Sequence, residues 1–229
     1  MTLPNKLSTL RICMVPLFIV AYFLPFYWGS LVAIAIFILA AFTDFLDGYI
    51  ARKYNMVSDL GKLLDPIADK ILVCAALFCV VSTNPLAYLS LLDSVSADWT
   101  ALHSYAWAQS SGMIFLAVGA TLILSRELLV SAVRQIAASK GIVVQANIYG
   151  KVKTICQDVC LPLIIFLNAA NVAQVNNVSR FGAPSLFFAI VWWIAVVMFA
   201  ISIVLTVVSG VIYLVHNKKV FTNDDKSIG

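Results

Sequence analysis

Four aspartates stand in two pairs near the ends of long apolar stretches of the chain. They are Asp44, Asp47, Asp65 and Asp69. The spacing within each pair is three or four residues, so on a helix both members of a pair share one face. A carboxylate inside a membrane-spanning helix costs about 2.5–3.5 kcal/mol, which makes it a candidate for function. Four carboxylates brought together repel one another unless a cation neutralises them. The pattern therefore predicts a divalent-metal site.

Residues between the aspartates suit the binding of phosphate. Glycine lets a ligand or a neighbouring backbone come close, a guanidinium binds phosphate in a bidentate way, and a hydroxyl offers a further hydrogen bond. These residues are Gly48, Gly61, Arg52 and Ser58. Mg²⁺ takes oxygen ligands and keeps positions open for substrate phosphates, and four shared carboxylates match a two-metal clamp. The weaker interpretation is that the aspartates are solvated helix ends.

The composition predicts the elements that must position these residues. Of 229 residues, 62% are hydrophobic and 11% are charged, whereas a soluble domain carries about 25% charged residues. We predict one all-α, polytopic membrane domain over residues 1–229, with six spans of about 20 residues each. The predicted spans are Leu10–Phe26, Leu31–Ala51, Pro66–Leu89, Met113–Ala137, Val152–Ala170 and Ser185–Leu214.

The distribution of basic residues predicts the orientation of the chain in the membrane. Segments 28–30 and 93–111 contain no Lys or Arg, and 171–184 contains only Arg180, whereas the other basic residues fall at the N-terminus, around 52–70, between 126 and 153, or in 218–226. The positive-inside rule then places both termini, and the aspartates, on the cytoplasmic side. Residues 93–111 are expected to form an outer loop and 217–229 a flexible tail. The net charge of +4 is small and dispersed, which argues against a nucleic-acid partner.

Written out, the aspartate stretch is Asp44-x2-Asp47-Gly48-x2-Ala51-Arg52-x8-Gly61-x3-Asp65-x3-Asp69. It matches every fixed position in the signature of the CDP-alcohol phosphatidyltransferase family, and the chain resembles that family over nearly its whole length. The resemblance implies that the four aspartates hold Mg²⁺ or Mn²⁺ and that Asp69 is also the general base. It implies that the CDP moiety of the lipid substrate contacts Gly48, Arg52, Ser58 and Gly61.

The resemblance also implies a reaction and a setting. An alcohol attacks the phosphorus that carries the diacylglycerol of CDP-diacylglycerol, and CMP leaves. The N-terminal segment resembles that of family members, which implies that Ser8 or Thr9, together with Arg11, contacts the CDP-lipid. Related enzymes form homodimers. A homodimer among the lipids of the bacterial inner membrane, with its active site facing the cytoplasm, is therefore expected.

Two basic patches bear on the acceptor alcohol. On the fourth predicted span, Arg126, Ser131 and Arg134 recur at helical spacing, and the fifth span opens with Lys151 and Lys153. So much positive charge beside a phosphoryl-transfer site favours an anionic acceptor held by charge-assisted hydrogen bonds. Both patches resemble those of family members that use sn-glycerol 3-phosphate. The alternative interpretation is that these residues only set the membrane topology.

Two other functions stay open at this point. Within the family, a cardiolipin synthase takes phosphatidylglycerol as its acceptor, and other members take other alcohols. Outside the family, an ion-coupled carrier also places carboxylates within the membrane. A carrier is expected to show repeat symmetry and helices broken near the midplane, and neither is visible in this sequence.

Overall fold

The computed structural model describes residues 3 to 216 except for 55–58, 86–98, 140–147 and 176–185. Side chains are described for most of these residues, but not for 3–6, 44–54, 59–66, 69, 99–109, 138–139, 148–149, 151, 174–175 and 186. The described residues form six helices, which confirms the all-α prediction for that part of the chain. The helices are α1 (Leu3–Tyr22), α2 (Tyr27–Tyr54), α3 (Asp59–Thr83), α4 (Trp99–Ser139), α5 (Ile148–Val175) and α6 (Leu186–His216).

Apolar helices make this chain an integral membrane protein. Three described stretches are long and apolar enough to cross a bilayer, namely Ser110–Ala137, Val152–Ala173 and Phe187–His216. The other three helices contribute shorter apolar stretches, namely Leu7–Tyr22, Tyr27–Thr43 and Lys70–Thr83. Large apolar side chains such as Leu122, Ile155 and Trp193 are exposed on the outside of the bundle, as lipid-facing positions require. Six complete spans stay a prediction.

The connection between α1 and α2 lies four residues earlier than predicted. The predicted first span ran to Phe26, but α1 ends at Tyr22 and the chain turns over residues 23–26. The amide of Gly29 donates to the carbonyl of Phe26 at 2.9 Å. A Cβ at Gly29 would lie 2.6 Å from the carbonyl oxygen of Ala21, so only glycine fits between the two helices here.

The ends of α3 and α4 also differ from the predicted spans. Helix α3 begins at Asp59, before the predicted Pro66, and stops at Thr83. Asn84 has a left-handed φ of 44°, and Pro85 cannot continue a helix. Helix α4 has 41 residues, about 61 Å, because it begins at Trp99 rather than at the predicted Met113. Much of the segment expected as an outer loop is therefore helical.

The packing of the helices brings the predicted site elements together. Helix α1 packs against α2 and α3, α5 packs against α2 and α6, and α3 contacts α4 and α5. Fully buried side chains from all six helices meet in one core; its largest members include Phe18, Phe37, Leu77, Leu161 and Phe199. Gly119 allows α4 to approach α6, since a Cβ there would lie 2.6 Å from both Phe199 and Ile203.

Candidate active site

Two adjacent helices carry the aspartate motif. Positions 44 and 47 are helical in α2, and positions 65 and 69 are helical in α3. Gly48 and Arg52 lie on α2 and Gly61 on α3, whereas Ser58 falls in the connection outside the described residues. The helix–loop–helix frame therefore agrees with the prediction. The side chains of the four aspartates lie outside the described set, so their meeting around a metal stays a prediction.

A cleft opens between α3, α4 and α5 on the same stretch of α3. Lys70, Val73 and Cys74 of α3 line it together with residues of the two other helices, namely Leu124, Glu127, Leu128, Lys153, Thr154, Gln157 and Asp158. Position 69 precedes Lys70 directly and lies one turn before Val73, on the same face of the helix. On α3, the residues that line the cleft therefore follow directly after the second aspartate pair.

An ion-paired cluster lies at the α4–α5 side of this cleft. The Oε1 atom of Glu127 accepts a hydrogen bond from Arg126 Nη1 at 3.0 Å and another from Lys153 Nζ. The Lys153 side chain is only 1% exposed, that of Arg126 13% and that of Glu127 26%. A buried ammonium group requires a paired, hydrogen-bonded partner, and the carboxylate supplies one.

Two glycines make room for the Arg126 side chain. A Cβ at Gly150, on α5, would lie 3.3 Å from Arg126 Nη2, and a Cβ at Gly210, on α6, would lie 3.2 Å from its Cγ. The arginine side chain therefore runs from α4 along α6 toward the start of α5, close to Lys153. Its Nε is buried and has no hydrogen-bond partner among the described residues.

The other predicted acceptor residues are placed differently. The guanidinium of Arg134 lies over the ring of Tyr213, 5.9 Å from the ring centroid, two turns along α4 from Arg126. The hydroxyl of Ser131 donates to the backbone carbonyl of Glu127 at 2.7 Å, within its own helix. The side chain of Lys151 lies outside the described set. Of the predicted acceptor residues, the structure brings Arg126 and Lys153 together through a shared partner.

The predicted N-terminal contacts divide between two faces of α1. Ser8 is fully buried and Arg11 is 1% exposed, and their spacing of three residues puts them on one face of the helix. Thr9 is half-buried. Because α1 packs against α2 and α3, the face of Ser8 and Arg11 is the one turned toward the helices of the aspartate motif.

Several residues of the cleft were not predicted as site residues from the sequence. Glu127 and Asp158 add two carboxylates to the lining, which offset the charges of Lys70 and Lys153. Among the described lining residues the formal charges therefore balance. One signal was available for Glu127, since a carboxylate in an apolar span beside an arginine requires a partner. No comparable signal pointed to Lys70 or Gln157.

This chain is similar to known phosphatidyltransferases. The CDP-alcohol phosphatidyltransferase family model matches residues 1–208. A CDP-diacylglycerol–glycerol-3-phosphate 3-phosphatidyltransferase of Bacillus subtilis is 34% identical over 178 residues, covering 72% of this chain and 77% of the relative. The protein of that name from Rickettsia bellii is 31% identical over 220 residues, covering 96% and 97%. One from the chloroplasts and mitochondria of Arabidopsis thaliana is 35% identical over 176 residues, covering 75% and 53%.

Proposed function

The chain belongs to the CDP-alcohol phosphatidyltransferase family, and from this premise we propose that it transfers a phosphatidyl group from CDP-diacylglycerol to sn-glycerol 3-phosphate. The products are phosphatidylglycerol phosphate and CMP, which makes the protein an enzyme of phospholipid biosynthesis. The relatives from bacteria and a plant carry the name of this activity. The observation that supports the acceptor most directly is the Arg126–Glu127–Lys153 cluster, which lies beside a cleft in register with the aspartate motif.

Family members generally depend on a divalent metal, and the donor set of this chain fits one. Asp44, Asp47, Asp65 and Asp69 are four hard oxygen ligands on two adjacent helices, spaced so that each pair shares a face. We propose that they hold two ions, either Mg²⁺ or Mn²⁺. Bound metal would neutralise the diphosphate of the CDP-lipid and stabilise the departing CMP.

The chain's own residues supply the proton transfer and the positioning. Asp69 takes the proton of the acceptor hydroxyl while the hydroxyl oxygen of the acceptor bonds to the phosphorus that carries the diacylglycerol. The bond from that phosphorus to the bridging oxygen breaks at the same time, and CMP leaves with the electron pair. An aspartate in water has a pKa of about 3.9 and is a weak base at neutral pH, so orientation of the acceptor must contribute much of the acceleration.

The two substrates are recognised by different helices. Gly48, Arg52, Ser58 and Gly61 of the motif contact the CDP moiety. Ser8 and Arg11 contact it from α1, where Ser8 is preferred over Thr9 because it shares the buried face of Arg11. The acceptor phosphate is bound by cations around the cleft, namely Arg126, Lys153, Lys151 and Arg134, with Ser131 beside them. Arg126 and Lys153 are its primary contacts, since both already reach into one cluster.

The setting follows from the charge distribution. Basic residues in alternate loops support an active site that faces the cytoplasm, where glycerol 3-phosphate and CMP are soluble. We place the chain in the bacterial inner membrane as a homodimer, among the lipids that supply CDP-diacylglycerol.

An acceptor screen with the purified full chain tests the proposal. CMP release is measured with CDP-diacylglycerol and Mg²⁺ or Mn²⁺, and the acceptor is glycerol 3-phosphate, phosphatidylglycerol, serine or inositol. We expect metal-dependent CMP release with glycerol 3-phosphate and far less with the other three. Faster turnover with phosphatidylglycerol would assign a cardiolipin synthase instead, and the absence of CMP release with any acceptor would overturn the transferase.

A further inference from the structure

A single carboxylate oxygen joins two cations beside the cleft, of which Lys153 is buried. Arg126 on α4 and Lys153 on α5 both donate to Oε1 of Glu127, although Lys153 is 26 residues away in sequence. Glu127 is not one of the fixed residues of the family signature, and it has no role in the reaction proposed above. Its side chain nevertheless lines the cleft and is the most exposed of the three.

A lysine in this position needs something to hold it. Its four-carbon side chain loses rotamer freedom when it is fixed, and its ammonium group is costly to bury without a counter-charge. Lys153 is fixed and 1% exposed, and Glu127 provides the counter-charge. Arg126 lies against the same oxygen, so the carboxylate also offsets the repulsion between the two cations.

We infer that Glu127 is a positioning residue, which holds Lys153 and Arg126 at one point of the cleft so that together they receive the phosphate of the acceptor. The inference rests on the proposed function, because it concerns the same acceptor. The cluster keeps a net charge of one positive unit, from two cations and one carboxylate, so it still attracts a phosphate monoester. Preorganised cations lose less entropy when that phosphate binds, which lowers KM for the acceptor.

A purely structural ion pair makes different predictions. Removal of a structural link between α4 and α5 would loosen the bundle and affect both substrates alike. Removal of a positioning residue would affect the acceptor alone, and only while the residue that it positions is present. The dependence on Lys153 is therefore the discriminating quantity.

The experiment is a double-mutant cycle on the full chain in detergent. KM for glycerol 3-phosphate and for CDP-diacylglycerol is measured for the unmodified protein, Glu127→Gln, Lys153→Ala and the double variant. We expect each single change to raise KM for glycerol 3-phosphate about tenfold and the KM for CDP-diacylglycerol less than about twofold. The increase in KM for the double variant should fall short of the product of the two single effects, because only Arg126 then still depends on Glu127, and Glu127→Asp should recover most of the affinity.

A binding readout that needs no turnover accompanies the kinetics. Glycerol 3-phosphate should raise the Tm of the unmodified protein and of the control Gln135→Ala, whose side chain is exposed on the same helix. It should raise the Tm of Glu127→Gln much less. If Glu127→Gln does not fold, the comparison is made with Glu127→Asp, for which we expect a small increase in KM for glycerol 3-phosphate alone.

Three outcomes would overturn the inference. Equal increases in KM for both substrates would make Glu127 structural, and so would additive effects in the double variant. The third outcome is an undiminished Tm shift in Glu127→Gln, which would show that the carboxylate does not organise the acceptor site. If the comparison is made with Glu127→Asp, an unchanged KM for glycerol 3-phosphate, or equal increases in KM for both substrates, would show the same. In all three cases the unmodified protein still releases CMP with glycerol 3-phosphate, so the proposed function survives. If the unmodified protein does not use glycerol 3-phosphate, both fail together.

Discussion

At the scale of single residues, charge in an apolar environment is the feature with the largest consequences. The chain has few charged groups, and several of those described within its helices are paired or line the cleft. Lys153 is buried against Glu127, and Arg134 lies over Tyr213. Such groups are costly to keep in a membrane, so their retention points to roles in binding or catalysis.

Asp69 is the residue whose loss should be most specific to the chemical step. We expect Asp69→Asn to lower kcat by about 10²–10⁴-fold, because an amide cannot take the proton of the acceptor hydroxyl. Binding of CDP-diacylglycerol should stay measurable, since three carboxylates and the motif arginine are kept. Kinetics of CMP release, together with CDP-lipid binding in detergent, check this. Substantial residual turnover would remove Asp69 as the base.

At the scale of helices, close approaches and buried hydrogen bonds decide how the bundle is joined. Tyr22 Oη and Thr83 Oγ1 lie 2.6 Å apart and join the ends of α1 and α3. Asn168 Nδ2 of α5 donates to Ser30 Oγ of α2 at 3.0 Å, and both residues are buried. These contacts lie at the helix ends remote from the aspartate motif. They stabilise a frame on which the site can be built.

The turn between α1 and α2 should not tolerate a side chain at Gly29. In Gly29→Ala the added Cβ would lie 2.6 Å from the backbone oxygen of Ala21, and backbone cannot move aside as a flexible side chain can. We expect a destabilisation of about 1–3 kcal/mol, seen as a lower Tm in detergent. Gly210→Ala is the matched control, because its Cβ would meet only the Arg126 side chain at 3.2 Å. An equal loss of Tm in the two variants would contradict this account.

The hydrogen bond between α2 and α5 should contribute a modest coupling energy. We expect a double-mutant cycle of Asn168→Ala and Ser30→Ala to give about 0.6 kcal/mol, the usual size for polar contacts between membrane helices. The losses of stability in the two single variants should sum to more than the loss in the double variant, because each single change leaves the other polar group buried without its partner. Reversible unfolding in mixed micelles measures the cycle. A coupling energy of zero would show that this contact does not hold the two helices together.

At the scale of the whole molecule, the apolar surface and the basic residues together determine the setting. Exposed apolar side chains cover α4, α5 and α6, whereas the lysines and arginines are concentrated at the N-terminus, around 52–70, between 126 and 153, and in 218–226. The positive-inside rule predicts that these basic segments lie on the cytoplasmic side. The acceptor and the released nucleotide are both water-soluble anions, so this orientation also suits the proposed reaction.

Reporter fusions should confirm this orientation. A green fluorescent protein joined after Gly229 should fluoresce, because it folds on the cytoplasmic side, and an alkaline phosphatase at the same point should be inactive. The phosphatase joined after Asp98, in a segment without Lys or Arg, should be active. The reverse pattern would invert the membrane topology and move the aspartate motif to the outer face.

Local patterns in the sequence were enough to predict much of this protein. The aspartate spacing, the apolar stretches and the motif predicted an all-helical membrane protein of the observed family. Spacing within one helix is a local property, and so is hydrophobicity summed over about 20 residues. Helix ends were less predictable. Trp99–Ser111 continues α4 in a segment without a strongly apolar face, and α1 stops where Gly29 admits a tight turn.

Only the tertiary structure decided which charged residues meet. Arg126 and Arg134 share a basic patch in the sequence, yet one donates to Glu127 and the other lies over Tyr213. The partnership of Glu127 with Lys153 depends on how α4 and α5 are rotated in the bundle, and Gly150 and Gly210 leave room beside it for Arg126. Contacts between helices are set by packing over the whole bundle, so spacing along one helix cannot determine them.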